Sequence, residues 1–298
     1  MTKAFAFKNV VKTYRDFQLG PLDFDLEPGV VLGYVGPNAS GKTTTMHCLV
    51  GLVRADRGEM EIFGRHNDLN HPEWRHDLGY VGDVHVFYEN WTGEKNLRFL
   101  AQFYPSWSNA IVADLARRFN LPLQKRAKEL SSGNRVKLAL IAALAHAPKL
   151  LVLDEPTSGL DPVVRSEVLE VLFEVVESGE RAIFYSTHIL SDISRLSDEL
   201  VFLSEGKLLL RTAKDDLLER WRRITFRLEG SPGEFAAAVQ HRHEGKDHQV
   251  VSSDFEITRR HLAELGAENM LENRMSIDEI AVHILKGGNH VAPVASRV

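Results

Sequence analysis

Apolar residues recur along this chain with two alternating periods. Val30-Val-Leu-Gly-Tyr-Val35, Lys149-Leu-Leu-Val-Leu153 and Arg181-Ala-Ile-Phe-Tyr185 are short, nearly unbroken apolar runs, the length of buried strands. Thr44–Val50, Ser131–Ala145, Val163–Glu177 and Ser191–Leu196 carry helical spacing instead; the first stops at Gly51 and the second before Pro148. Phe5–Val11 and Leu22–Leu26 read as strands, the latter alternating apolar and acidic residues as a half-exposed sheet does. Pro28-Gly29 turns the chain into the Val30 strand, and Gly64 closes a further strand at Glu59–Phe63. Asp77–Gly82 predicts a core strand running into a loop, and Glu199–Leu203 and Lys207–Leu210 two more strands. Strands alternating with helices predict a largely parallel sheet covered by helices, an α/β fold.

Two stretches depart from this pattern. From about Asp83 to Leu130, helical periodicity at Glu94–Phe103 and Ala110–Phe119, with Pro105 and Pro122 as breakers, predicts a mainly helical insertion. Near Lys214 the character shifts again, to a helix at Asp215–Trp221, a strand at Arg222–Leu228 and a turn at Gly230–Gly233. Ser276–Leu285 predicts an amphipathic helix with a Ser N-cap, and the residues from Gly287 a loose tail. His241, His243 and His248 lack supporting cysteines or ligand spacing, so a solvated loop is expected there rather than a metal site. Arg220, Arg222 and Arg223 around Trp221 read as a solvated linker face rather than a membrane contact. No internal repeat is visible.

Composition narrows the class. The 298 residues are 44% hydrophobic and 26% charged with a formal net charge of −5, which disfavours bulk nucleic-acid binding. A single cysteine, Cys48, excludes an internal disulfide and is expected to be buried and inert. The N-terminus has no signal-type apolar core, and the most apolar stretch, Val136–Leu153, is interrupted by Lys137, His146, Pro148 and Lys149. A cytoplasmic protein is expected.

Chemistry enters at Gly36-Pro-Asn-Ala-Ser-Gly-Lys-Thr43, which lies between a predicted strand and a predicted helix. Glycines at that spacing let backbone N–H groups turn inward around phosphates, and the helix N-terminus adds its positive dipole end. In such a loop Gly36, Asn38, Ala39, Ser40 and Gly41 form the cradle, with Thr44 beside it. Lys42 would reach the β- and γ-phosphates and the Thr43 hydroxyl would ligate Mg²⁺. Leu150-Leu-Val-Leu-Asp154-Glu155 places two carboxylates at a strand's carboxyl end, where α/β sheets bind ligands. Asp154 would hold Mg²⁺ and Glu155 would polarise the attacking water. Leu130-Ser-Ser-Gly-Asn134 on its own reads as an ordinary N-cap, with Ser131 poised before the helix.

In combination these pieces resemble the ATP-binding-cassette (ABC) ATPases, closest to bacterial export-type ATP-binding subunits. The resemblance spans roughly residues 3–212. It rests on the phosphate loop, Ser131-Ser-Gly-Asn134 before Arg135-Val-Lys-Leu-Ala-Leu, the Asp154-Glu155 strand, Pro156-Thr-Ser-Gly-Leu-Asp161, and His188 after Ile183–Thr187. It implies a P-loop NTPase (RecA-like) core sheet with an N-terminal antiparallel β subdomain, a helical insertion at about 84–135 and a small α+β C-terminal region. The implied domains are 1–213 and 214–298. It also implies ATP and Mg²⁺ as ligands and a dimer closing around two ATP molecules. A membrane-embedded permease on a separate chain is the implied partner, with the protein held peripherally at the inner face of the membrane. Ser131, Ser132, Gly133 and Asn134 would serve the nucleotide of the opposite subunit. Asp161 would link the two sites, His188 would steady the γ-phosphate and Tyr14 would stack on adenine.

Three positions depart from the family pattern. Ala39 stands where Gly is common, which matters if that position requires positive φ. Ser132 and Asn134 differ from the usual Leu-Ser-Gly-Gly-Gln signature. Asp83 replaces the Gln that contacts Mg²⁺; a carboxylate can bind the ion but adds charge near the phosphates. After it, Phe87, Tyr88 and Trp91 either form a groove for a permease helix or pack the insertion onto the core. The sequence here, with Phe-Tyr-Pro-Ser-Trp at 103–107, resembles bacterial subunits paired with separate export-type permeases. A soluble ABC-type ATPase acting on nucleic acid or the ribosome is the competing reading. Such proteins usually carry two cassettes or a long coiled coil, whereas one P-loop and no sustained heptads occur here.

Overall fold

The computed structural model describes residues 2–177, 181–229 and 237–286. The chain opens with β1 (Phe5–Thr13), β2 (Gln18–Leu26), β3 (Val31–Val35) and α1 (Lys42–Leu49), then β4 (Arg57–Ile62), β5 (Arg65–His66) and β6 (Leu78–Val81). The helical insertion holds α2 (Gly93–Leu100) and α3 (Asn109–Arg118), and α4 (Ser132–Leu144) leads out of it. There follow β7 (Leu150–Asp154), α5 (Pro162–Glu177), β8 (Ala182–Thr187), α6 (Leu190–Leu196), β9 (Glu199–Ser204) and β10 (Lys207–Ala213). The C-terminal part comprises α7 (Lys214–Arg220), β11 (Arg222–Arg227), β12 (Ala238–Glu244), β13 (Asp247–Ser252), α8 (Phe255–Glu264), β14 (Glu268–Arg274) and α9 (Ile277–Lys286).

Six strands form the central sheet in the order β10-β9-β3-β8-β7-β6, parallel except for the β9–β10 hairpin. Its central strands are apolar on both faces, and period-two alternation divides their side chains between two cores. Val31, Val35, Leu151, Leu153, Ile183 and Tyr185 face a core shared with α4, α5, α6 and α9. Leu32, Tyr34, Leu150, Val152, Ala182 and Phe184 face a second core, closed by α1 and the antiparallel sheet β2-β1-β4-β5. The aromatic rings of Phe5, Phe24, Tyr34 and Phe184 join those two sheets, with centroids 5.0 Å apart for Phe5–Phe184 and 5.1 Å for Tyr34–Phe184. This is the N-terminal antiparallel subdomain and helix-covered parallel sheet that the sequence implies.

The C-terminal region contains more regular structure than the sequence suggests. Its sheet runs β12-β13-β11-β14, with α8 over a small core of Ile224, Phe226, Val250 and Leu262. The three histidines do not lie on a solvated loop. They lie on the β12–β13 hairpin, where Gly245, at φ 61, makes the tight turn. His248 is buried against Phe226, and its Nδ1 lies 3.0 Å from His241 Nε2. Burial and the neighbouring His248 and His243 hold His241 below its ordinary range. The arginines around Trp221 are likewise not a solvated face. Arg222 is buried and donates to the Leu218 and Trp221 carbonyls, while Arg220 pairs with Asp254 and Arg223 with Glu279. The predicted helix from Ser276 is α9, with Ser276 Oγ accepting from Glu279 N at 3.3 Å. The predicted turn at Gly230–Gly233 and the tail from Gly287 lie outside the described residues.

Cys48 is buried in α1, and burial pushes its thiol up to about 11, an inert sulfur as expected. No helix among the described residues is long and apolar enough to cross a membrane. Because Phe184 touches both sheets, Phe184→Ala is expected to cost about 3–5 kcal/mol of stability. Urea unfolding measures this, and a cost below about 1 kcal/mol would show that the aromatic joint contributes little.

Candidate functional site

The phosphate loop leaves β3 at Gly36 and enters α1 at Lys42. Two glycines in it are dictated by geometry. A Cβ on Gly36 would sit 2.4 Å from the Leu203 carbonyl oxygen, and Gly41 has φ 110, a conformation that L side chains rarely adopt. Ala39 also lies in the left-handed region, at φ 62, so the position where Gly is common does require positive φ. This chain therefore carries about 1–2 kcal/mol of backbone strain inside its phosphate loop. The loop is fixed from outside by the Gly206 N–H, which donates to the Ser40 carbonyl at 2.9 Å.

Lys42 is buried. It donates to the Gly36 carbonyl at 2.8 Å and the Pro37 carbonyl at 3.2 Å, and its ammonium lies 3.4 Å from the Glu155 carboxylate. Glu155 follows β7, at φ 52, with its N–H held by the carbonyl and hydroxyl of Ser186. Its other carboxylate oxygen accepts from the His188 backbone N–H at 3.2 Å and lies 2.7 Å from His188 Nδ1. One carboxylate thus bridges the phosphate-loop lysine and the histidine beyond β8.

Asp154, one residue earlier, is completely buried. Its Oδ1 accepts from Ser186 Oγ at 2.6 Å, whereas Oδ2 has no hydrogen-bond partner within the described structure. A buried carboxylate oxygen without a donor is costly, and such an oxygen is the kind of ligand a hard cation takes. The Thr43 hydroxyl and Asp83 carboxylate open onto the adjoining cleft. This donor set fits a divalent cation such as Mg²⁺.

The cleft has a volume of about 730 Å³. Of the residues singled out in the sequence, Tyr14, Asn38, Ala39, Ser40, Gly41, Lys42, Thr43, Thr44, Asp83, Glu155 and His188 line it. Gly36 lies beneath it, and Asp154 is buried one residue before the lining Glu155. Asp16, Phe17 and Ser158 also line it and were not singled out. Ser158 could have been found, since it stands inside Pro156–Asp161; Asp16 and Phe17 lie in a turn with no motif of its own.

Ser131, Ser132, Gly133 and Asn134 are not part of this cleft. Ser131 caps α4 by accepting from the Asn134 N–H at 3.3 Å, and both serines are exposed. Gly133 is buried because α4 crosses α5 closely there; a Cβ would meet Val164 Cγ1 at 2.9 Å. Asp161 caps α5, its Oδ1 accepting from Val163 N at 3.0 Å and Val164 N at 3.1 Å. The aromatics after Asp83 fall into two groups. Phe87 and Trp107 pack against the core, while Tyr88 stacks on Trp91, and Trp91–Phe99 and Phe99–Phe103 meet edge to face, with Tyr88 and Phe103 exposed.

Comparison with known proteins agrees with this geometry. The family model for the ABC transporter matches residues 19–158. The chain is 31% identical over 264 residues to the bacitracin transport ATP-binding protein BcrA of Bacillus licheniformis, covering 88% of this chain and 86% of that protein. It is 33% identical over 219 residues to the Nod factor export ATP-binding protein I of Burkholderia orbicola (strain AU 1054), covering 72% of each. Among solved structures, an ATP binding subunit of an ABC transporter matches with a TM-score of 0.66 at 29% identity, covering 72% of this chain and 92% of that one.

The strain at Ala39 is directly measurable. Ala39→Gly removes the Cβ that disfavours φ 62 and is expected to stabilise the protein by about 1 kcal/mol in urea unfolding. A destabilisation of similar size would mean that the loop does not hold this conformation in solution.

Proposed function

The chain belongs to the ABC transporter family as an ATP-binding, ATP-hydrolysing subunit, and from that premise we propose that it is one half of a nucleotide-clamping dimer driving export through a separate membrane permease. The second half is another copy or a related ATPase subunit. The observation that supports this most is the division of the motifs. Glu155 contacts both Lys42 and His188 in a single cleft, while Ser131 and Ser132 stand exposed outside it, available to a second chain's nucleotide.

In this reading the loop from Gly36 to Thr44 wraps the phosphates with its N–H groups, and Tyr14 at the cleft's rim stacks on adenine. Asp154, Thr43 and Asp83 would hold Mg²⁺, which would supply positive charge against the nucleotide's phosphates. Phosphate entering the cleft competes with Glu155 for the Lys42 ammonium. That competition frees the Glu155 carboxylate to orient the attacking water. His188 Nδ1 lies against the Glu155 carboxylate, and the other side of the ring is placed to meet a γ-phosphate oxygen. Asp161, at the start of α5, carries the state of one site toward the other.

Residues 214–298 form an accessory domain riding on the ATPase domain of 1–213. The permease docks on the helical insertion, where Val84 and Val86 are 77% and 88% exposed, a few residues before the Tyr88–Trp91–Phe99–Phe103 ring cluster. The protein then works at the inner face of the membrane. The relatives' names, bacitracin transport and Nod factor export, favour transport over action on nucleic acid or the ribosome.

Glu155→Gln keeps the side chain's shape and removes the charge that orients water. Hydrolysis is expected to fall at least about a hundredfold while ATP binding is retained, with ATP now holding two chains together in size-exclusion chromatography. Hydrolysis at the parental rate would assign Glu155 another role.

A further inference from the structure

Behind the cleft lies a buried carboxylate that the mechanism above does not use. Asp192, on α6, is 1% exposed. Burying a charge to that degree is unfavourable unless it is paired and fully hydrogen-bonded, and Asp192 is both. Its Oδ1 accepts from Arg165 Nε at 2.9 Å and from the same guanidinium's Nη2. Its Oδ2 accepts from Thr157 Oγ1 at 2.7 Å and from the Tyr185 hydroxyl at 3.3 Å. The two hydroxyls are also 3.1 Å from each other. Burial first, and the Asp192 charge next, push the Tyr185 hydroxyl far above its ordinary range, so it stays a neutral donor.

The partners of this carboxylate come from three separate segments that converge on the reacting end of the cleft. Thr157 is two residues after Glu155 and one before Ser158, which lines the cleft. Arg165 lies on the first turn of α5, where its N–H donates to the Asp161 carbonyl at 3.0 Å. Tyr185 is on β8, three residues before His188. Asp192 itself is four residues past His188, and Arg165 Nη2 reaches Ser191 Oγ at 2.7 Å on the same helix. A single buried anion therefore fixes the loop that carries Glu155, the helix that Asp161 caps and the segment that carries His188.

We propose that Asp192 is a positioning residue for hydrolysis: through Thr157 and Arg165 it holds the Glu155 loop and α5 in fixed register with the His188 segment. Its direct product is the 2.7 Å approach of His188 Nδ1 to Glu155. That approach joins two segments otherwise tied near the cleft mainly through Ser186 and the backbone. The Thr157 hydroxyl ties the loop after Glu155 to Asp192 and to Tyr185, whereas the loop's turn contacts, Ser158 N to the Glu155 carbonyl and Leu160 N to the Thr157 carbonyl, are local. Asp192 does not line the cleft, and among the described residues no hydrogen bond or ion pair joins it to Lys42 or the phosphate loop, so nucleotide binding is not expected to depend on it.

This inference rests on Glu155 and His188 being the hydrolytic pair, and the test separates the two claims. Removing Asp192 itself would leave Arg165 without its partner, so the informative variant is Thr157→Val. It has nearly the same shape, lacks the hydroxyl and leaves the Arg165–Asp192 pair in place. Thr157→Val is expected to lower kcat about tenfold, the size of one lost charge-assisted hydrogen bond, with ATP affinity and Tm close to the parent's. Arg165→Lys, which keeps a cation beside the buried carboxylate but loses the two-pronged guanidinium contact, should also lower kcat. Because both act through Asp192, the double variant should be no slower than the slower single variant by more than about threefold. Glu155→Gln in the same assay reports on the hydrolytic reading alone. If Glu155→Gln abolishes hydrolysis but Thr157→Val turns over at the parental rate, Asp192 is not a positioning residue. The proposal is equally overturned if kcat, ATP affinity and Tm fall together in Thr157→Val, which would make the network a general stabiliser of the fold.

Discussion

The chemistry of the cleft depends on the register of three parallel strands. Val35 of β3 stands beside Thr187 of β8, and Asp154 of β7 stands beside Ser186. The next residues of each strand, Gly36, His188 and Glu155, therefore leave the sheet side by side at its carboxyl edge, where α/β sheets place their ligands. A slip of one residue in β7 would turn Asp154 to the opposite face and Leu153 toward the cation site. The two-sided burial of these strands forbids that slip, since it would exchange the residues of the two cores. The site is thus registered by hydrophobic packing that lies wholly outside it.

On that frame sits a small set of charges that satisfy one another. Glu155 is shared between the Lys42 ammonium and the His188 ring, and Lys42 is further held by the Gly36 and Pro37 carbonyls. Phosphate is a stronger partner for a buried ammonium than two carbonyls and a shared carboxylate. In the proposed mechanism, substrate binding is then coupled to release of Glu155 to act on water. Two of the chain's non-glycine residues at positive φ, Ala39 and Glu155, lie at this site, on either side of the phosphates in the proposed arrangement.

Most of the ATPase part was legible in the sequence because its elements carry strong local signals. Strands β3, β7 and β8 are unbroken apolar runs ended by residues that need not pack, and α4 begins at Ser131 where a cap was expected. The cleft's main residues were legible because phosphate chemistry restricts residue type at fixed spacing. The C-terminal hairpin was not. β12 reads Ala-Val-Gln-His-Arg-His-Glu, with its apolar residues confined to one end, and it becomes a strand only by pairing with β13. Tertiary pairing outweighed local composition there. Asp192 was invisible for a related reason, since its partners Thr157, Arg165 and Tyr185 are 35, 27 and 7 positions away in sequence.

The proposed division of labour between chains can be measured with two inactive proteins. Lys42→Ala cannot grip phosphate, and Ser131→Arg places bulk at the start of the signature helix, 89 positions further along the chain (131 − 42). Each homodimer lacks one half of every site. In a mixed dimer one site carries both lesions and the other carries none, so mixing the two inactive proteins is predicted to restore part of the ATPase activity. No recovery on mixing, together with crosslinking of position 131 to nucleotide held by its own chain, would contradict a site built from two subunits.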